Sequence, residues 1–175
     1  MNKKLTSVNN KEVKALYQLT LKSKHRKISN TFLIEGLREI KLAMKNDWQI
    51  TKLLFCPKII SEEELNKSFK NKVEKTEVSI EVYKKIAYRN STEGVLAITS
   101  CKDHDLKNIK FKSNNPLIIV IEAPEKPGNI GAILRTADAA NIDAVIIANP
   151  KTDLYNPNII RSSVGSIFTN NIYVG

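Results

Sequence analysis

Apolar and polar positions alternate between two periods along the first hundred residues. Val13, Leu16, Tyr17 and Leu21 recur at helical spacing. Thr31-Phe32-Leu33-Ile34 is a short run suited to a strand, closed by Glu35-Gly36. Leu37, Ile40 and Met44 return to the helical period, and Lys52-Leu53-Leu54-Phe55-Cys56 is a second strand, stopped by Pro57. Ser61 followed by Glu64 makes a capping box, because the hydroxyl satisfies an orphan amide while the carboxylate reaches back. The pair predicts a helix running to about Asn71. Val73–Val78 and Gly94–Ile98 are expected to be extended, with a helix through Val82, Ile86 and Ala87 between them. This alternation predicts a small α/β sandwich with a mostly parallel or mixed sheet over residues 1–100.

The pattern lapses at residues 101–115, which are polar and end in Ser113-Asn114-Asn115-Pro116. An exposed linker is expected there. Beyond it, Leu117-Ile118-Ile119-Val120-Ile121 is a β-branched run suited to a central parallel strand covered on both faces. A loop from Glu122, an alanine-rich helix over Ile130–Asn141 and a second apolar strand, Ala144–Ala148, complete a β-loop-α-β unit. Its crossover is expected to be right-handed. Ligands of such sheets bind beyond the carboxyl ends of the strands, where the loop from Glu122 to Gly131 lies.

Charge divides along the same boundary. Residues 1–112 hold 24 Lys and Arg against 13 Asp and Glu, whereas residues 113–175 hold 4 against 5. The whole excess of the formal +10 therefore sits in the first segment. Such a field favours a polyanion, and nucleic acid is the usual one. Lys22, Lys24, His25, Arg26 and Lys27 are its densest cluster; they are read as RNA contacts or, alternatively, as a solvated lysine-rich loop. No apolar run approaches the ~18 residues of a membrane span, and the polar start does not resemble a secretory signal. Cys56 and Cys101 are isolated, so reduced thiols in a cytoplasmic protein are expected, and no metal site.

Two segments of the second half carry candidate chemistry. In Asn129-Ile130-Gly131-Ala132-Ile133-Leu134-Arg135-Thr136-Ala137-Asp138, Asn129 suits an N-cap and Gly131 permits close backbone approach. Arg135 lies one turn on, on the same face. A guanidinium there is able to hold a phosphate bidentately; the alternative is an i,i+3 ion pair with Asp138. Neither a dinucleotide GxGxxG nor a P-loop is present. In the second segment Pro157 suits the first turn of a short helix. Arg161, Ser162 and Ser163 then precede Gly165 and an apolar strand start. These small hydroxyl residues either line a ribose or cofactor site or simply make a capped helix and turn. Glu122, at the end of the first strand, is a candidate base or a ligand for loop amides.

Together, NIGAILRTADAA and IIRSSVGSIF resemble the first two signature motifs of the SpoU-type (TrmH-like) RNA methyltransferases of the SPOUT superfamily. Phe32-Leu33-Ile34-Glu35-Gly36 and Glu93-Gly94-Val95-Leu96-Ala97-Ile98 are similar to two stretches of that family's leading substrate-binding domain. The resemblance implies a small ribosomal-protein-like RNA-binding domain (1–100), a linker (101–115), and the N-terminal portion of a SPOUT α/β-knot parallel-sheet domain (116–175). It implies methyl transfer from S-adenosylmethionine to a ribose 2′-hydroxyl of rRNA or tRNA by a homodimer joined through the catalytic domain. By position, Asn129 and Arg135 match the site asparagine and arginine, while Arg161, Ser163 and Gly165 fall in the second motif. A third motif, which builds the knot and most of the cofactor pocket, is expected downstream of Gly175. The chain is accordingly expected to be truncated and inactive by itself, and a non-catalytic RNA-binding protein is the alternative.

Overall fold

The computed structural model describes residues 3–69, 73–89, 93–111 and 114–175. They form two units, residues 1–101 and 102–175. Unit 1 runs β1 (Lys3–Leu5), α1 (Lys11–Leu21), α2 (Ser23–Ser29), β2 (Thr31–Glu35), α3 (Leu37–Lys45), β3 (Ile50–Phe55), α4 (Glu62–Ser68), β4 (Glu74–Val78), α5 (Ile80–Ile86) and β5 (Val95–Ser100). Its sheet has the order β1-β4-β3-β5-β2 and is mixed, as expected: β4 runs parallel to β1 and β3, and β5 antiparallel to β3 and β2.

Strand alternation places successive side chains on opposite faces. Leu33, Leu54, Val78 and Leu96 pack with Val13, Leu16 and Leu19 of α1 and Val82, Tyr83 and Ile86 of α5. On the other face, Phe32 meets Trp48 edge to face at 5.8 Å. Burial of each such side chain contributes roughly 1.5–3 kcal/mol, and this core holds the sheet against the entropy of ordering the chain.

Several local expectations change. Leu21 sits in the last turn of α1 and is exposed, while Leu19 takes the buried position. The basic cluster is not a loop but the helix α2, ended by Asn30 in the left-handed region (φ 51°). The Ser61 cap is present, its hydroxyl accepting from Glu64 N at 3.1 Å, but α4 stops at Ser68. Asn71 lies outside the described residues.

Unit 2 contains a 3-10 turn (Leu106–Asn108), then β6 (Ile118–Glu122), α6 (Pro127–Ala139), β7 (Ala144–Ala148), α7 (Pro157–Ser163), α8 (Ser166–Thr169) and β8 (Ile172–Val174). The three strands are parallel in the order β6-β7-β8. β6 is therefore an edge strand among the described residues, and Leu117 and Val120 are 61% and 63% exposed, contrary to the expectation of a doubly covered centre. The centre is β7. The apolar stretch after Gly165 begins as the short helix α8 rather than as a strand.

Residues 102–108, read from composition as part of a linker, are tied to unit 2. Val174 N donates to His104 O at 2.7 Å, and Asp105 bridges Val174 in parallel. The His104 ring spans Ile172 O (Nδ1, 2.7 Å) and the Tyr155 hydroxyl (Nε2, 2.7 Å), and Lys102 N donates to that hydroxyl at 2.9 Å. Ser113 lies outside the described residues.

Candidate active site

The carboxyl ends of the three parallel strands form one hydrogen-bonded edge. β6 and β7 each exit through a residue with positive φ, Ala123 (45°) and Asn149 (48°). Asparagine visits this region more readily than most residues, and alanine with a modest penalty. The turns let Ala123 N reach Ala148 O (2.9 Å) and Asn149 N reach Gly175 O (2.8 Å). The Asn149 amide also donates to Glu122 Oε1 at 2.9 Å, which fixes that exposed carboxylate at the edge. Sequence reasoning did not single out Asn149; its signal was an asparagine directly after an apolar strand.

From this edge the chain enters α6. The helix starts with Pro127 at N1, where a missing amide hydrogen costs nothing. Lys126 is the N-cap residue and gives no side-chain cap. Asn129 is thus not the cap expected from sequence; it lies inside the first turn, exposed. Gly131 is buried where α6 crosses α7. A Cβ there would lie 2.7 Å from Ser163 N and 2.8 Å from Ser162 C, and nearer still to Ser162 Oγ. Only glycine lets the two motif segments approach this closely.

Arg135 follows Gly128 and Gly131 along one row of α6. It is exposed and has no ion-pair or hydrogen-bond partner among the described residues. The alternative pairing with Asp138 is not formed: Asp138 Oδ1 instead accepts from the Thr169 hydroxyl at 2.5 Å. The guanidinium is left available to an anion.

α7 opens with Asn156, whose side chain accepts from Asn158 N at 2.9 Å, and with Pro157. Arg161 is exposed and donates to Asn158 Oδ1 at 3.2 Å. Ser162 donates to Asn158 O at 2.6 Å. Ser163, expected to face a ligand, is fully buried and donates its hydroxyl to Ile160 O at 3.0 Å. Its role in the structure is to seat α7, since that bond leaves no hydroxyl hydrogen to offer. Val164 (φ 53°) and Gly165 (φ 94°) then both adopt the left-handed region. For a β-branched valine this is an outlier, of the kind that folds retain at ligand clamps at a cost on the order of 1–3 kcal/mol.

The basic cluster belongs to unit 1. Lys22, Lys24, His25 and Lys27 are exposed. Arg26 is not a surface contact: it is 3% exposed, and its Nη1 donates to Leu19 O at 2.5 Å, within the last turn of α1. Among the described residues there is no group of three or more His, Cys, Asp or Glu arranged to hold a metal ion. Nor, among them, is any helix long and apolar enough to cross a membrane. Neither Cys56 nor Cys101 is in a disulfide.

Comparison with known proteins places both units. Residues 10–97 match the MRM3-like substrate binding domain, and residues 116–175 match the SpoU rRNA Methylase family. The chain is 30% identical over 144 residues to the 23S rRNA (uridine(2479)-2'-O)-methyltransferase of Streptomyces viridochromogenes, covering 79% of this chain and 48% of that one. It is 27% identical over 166 residues to the 23S rRNA (guanosine(2553)-2'-O)-methyltransferase RlmP of Bacillus subtilis, covering 95% and 62%. The chain thus spans about half to two thirds of the length of these relatives. Among solved structures, the SpoU methyltransferase AviRb from Streptomyces viridochromogenes in complex with the cofactor AdoMet superposes with a TM-score of 0.85 at 26% identity, over 95% of this chain and 63% of that one. Two family matches, over residues 10–97 and 116–175, and a parallel-sheet unit whose motif segments are locked together at Gly131 lead to one assignment: the chain belongs to the SpoU rRNA methylase family and carries an MRM3-like substrate-binding domain ahead of its methylase segment.

Proposed function

We propose that the protein containing this chain methylates a ribose 2′-hydroxyl of ribosomal or transfer RNA, as a cytoplasmic homodimer joined through its methylase segment. The observation that carries this reading is the clamp of α6 on α7. It unites the two motif segments beyond the carboxyl edge of the sheet, and Arg135 has no partner among the described residues.

The reaction displaces sulfur from a methyl carbon: a bond forms from O2′ to carbon, the carbon–sulfur bond breaks, and the hydroxyl proton leaves. S-adenosylmethionine, the cofactor present in a solved relative, supplies the methyl group when bound. The second motif does not fit it unaided, because Ser163 spends its hydroxyl on Ile160 and Gly165 is buried. What this chain contributes is orientation. Arg135 binds a phosphate beside the target ribose through paired N–H donors and favours the developing negative charge on O2′. It does not act as a base, since guanidinium stays protonated. Glu122, held by Asn149, keeps one carboxylate oxygen for the departing proton. Lys22, Lys24, His25 and Lys27 of unit 1 contact RNA phosphates.

The test is transfer of labelled methyl to ribosomal RNA by the gene product containing these residues, read as alkali-resistant dinucleotides, which only 2′-O-methylation produces. Arg135→Lys is expected to lower turnover about 10- to 150-fold, the equivalent of ~1.5–3 kcal/mol for a charge-assisted bidentate contact, with S-adenosylmethionine affinity unchanged. Near-normal turnover would refute the clamp. RNA binding with no methyl transfer and no cofactor binding would favour a purely RNA-binding protein.

A further inference from the structure

A second cationic feature of unit 1 lies on α3, on a different helix from the α2 cluster. Arg38, Lys41 and Lys45 are exposed at i, i+3 and i+7 of α3, a single stripe of roughly 10 Å. None has an ion-pair partner among the described residues. The nearby carboxylates are already committed. Glu39 is buried and pairs with Arg89 at 3.5 Å. Glu35 accepts from the amides of Tyr88 (2.9 Å) and Arg89 (3.3 Å). Glu93 accepts from Leu37 N, so the first amide of α3 has its anion, and a further anion is directed to the stripe rather than to the helix end.

Beside the stripe runs an open groove of about 490 Å³, lined by Leu37, Arg38, Lys41, Leu42, Lys45 and Glu93. That volume lies in the roughly 300–1,000 Å³ range of small-ligand clefts. Two leucines and three cations against one engaged carboxylate make an apolar seat with a positive rim. A paired A-form helix presents phosphates and 2′-hydroxyls but no base that enters a cleft, whereas an unpaired strand presents both bases and phosphates. We propose that this groove seats an unpaired nucleotide of the RNA substrate. Its base rests on Leu37 and Leu42, and its flanking phosphates lie on Arg38, Lys41 and Lys45. The proposal rests on the RNA reading above and adds to it where in unit 1 a single-stranded segment is held.

The test measures affinity of the whole protein for a short unstructured RNA oligonucleotide and for an RNA duplex of equal phosphate number, across a salt series. In the triple variant R38Q/K41Q/K45Q, single-strand affinity should fall about tenfold or more. The slope of log affinity against log salt should drop by about 2, at ~0.7 per lost phosphate contact. Leu42→Asn, and separately Leu37→Asn, should weaken single-strand binding with the slope and duplex affinity unchanged. Unaltered melting temperature in the triple variant confirms that the exposed substitutions leave the fold intact. If the wild type binds RNA and the triple variant matches it in affinity and slope, the groove is not the seat, though the RNA reading stands. A wild type that binds neither RNA overturns both. Equal loss of duplex and single-strand binding in the leucine variants excludes a seated base. A wild-type dimer in sedimentation that the triple variant converts to monomer makes a second copy of this chain the occupant and overturns the proposal.

Discussion

Replacing Gly131 with alanine tests whether the two motif segments are held together by close backbone contact. In an open helix the substitution would stabilise, because alanine is favoured over glycine by about 0.8–1 kcal/mol. Here the new Cβ meets backbone on α7, at 2.7 Å from Ser163 N and 2.8 Å from Ser162 C, where ordinary contact begins at 3.4 Å. Rotating Ser162 does not relieve this, since the obstructing atoms are main chain, and its hydroxyl is bonded to Asn158 O. α7 must retreat by roughly 0.6–0.7 Å, and overpacking of this kind costs about 1–3 kcal/mol. Set against the helix gain, the net effect is a loss of up to about 2 kcal/mol. For a unit of this size that is a melting temperature lower by several degrees, at ~4–8 °C per kcal/mol. Gly128→Ala is the internal control. Its Cβ would meet only Asn158 Nδ2, at 4.0 Å, so it should be neutral or slightly stabilising. Thermal melts and urea midpoints of the two variants decide the matter. If Gly131→Ala is more stable than the wild type by the ~0.8–1 kcal/mol expected of an open helix, the helices are not in contact there.

Two other perturbations separate structural from RNA-contacting groups. Burial holds the His104 imidazole below its ordinary value of 6.5; the Ile172 carbonyl and Asp103 pull it upward, and Lys102 adds to the lowering. A depressed histidine contributes stability that is complete above about pH 6.5 and is lost as pH falls from there through the lower folded value. The melting temperature of the wild type should therefore drop more steeply than that of His104→Asn between about pH 7 and pH 5, and parallel curves would refute the role. Arg26→Ala should destabilise unit 1 by roughly 2–3 kcal/mol, because it strips a charge-assisted partner from Leu19 O. Its RNA affinity when folded should stay unchanged; a stable variant with weakened RNA binding would restore Arg26 to the surface cluster.

Apolar spacing alone located α3 and α5, and the Ser61–Glu64 pair located the start of α4, because those signals are local. Where tertiary neighbours decide, the sequence was silent. The run Leu117–Ile121 has the composition of a covered strand, yet composition does not encode which strands flank it, and Val120 is exposed. Lys22–Lys27 has no apolar period, so α2 was not foreseen, nor that Arg26 turns inward to a helix end. Asn129 resembled a cap by residue type, but Pro127, which suits N1, moved the helix start three residues earlier. Ser163 resembled a ligand group, whereas a hydroxyl late in a helix readily turns back on the carbonyl three residues before it. The residues 102–108 are polar enough for a linker, and only the packed His104 ring reveals that they adhere to β8. The motif resemblance pointed to a region of the chain, and the geometry redistributed which of its residues face outward and which are buried.

The attachment of His104 and Asp105 along β8 makes the small sheet asymmetric in a way that bears on solubility. One margin has its backbone groups occupied by the protein's own chain. The opposite margin, β6, has no further strand beside it among the described residues, and there is no proline or charge between Leu117 and Ile121 to discourage a stranger from pairing with it. Intermolecular strand addition, if concentrated protein self-associates into fibres, is thereby directed to a single side.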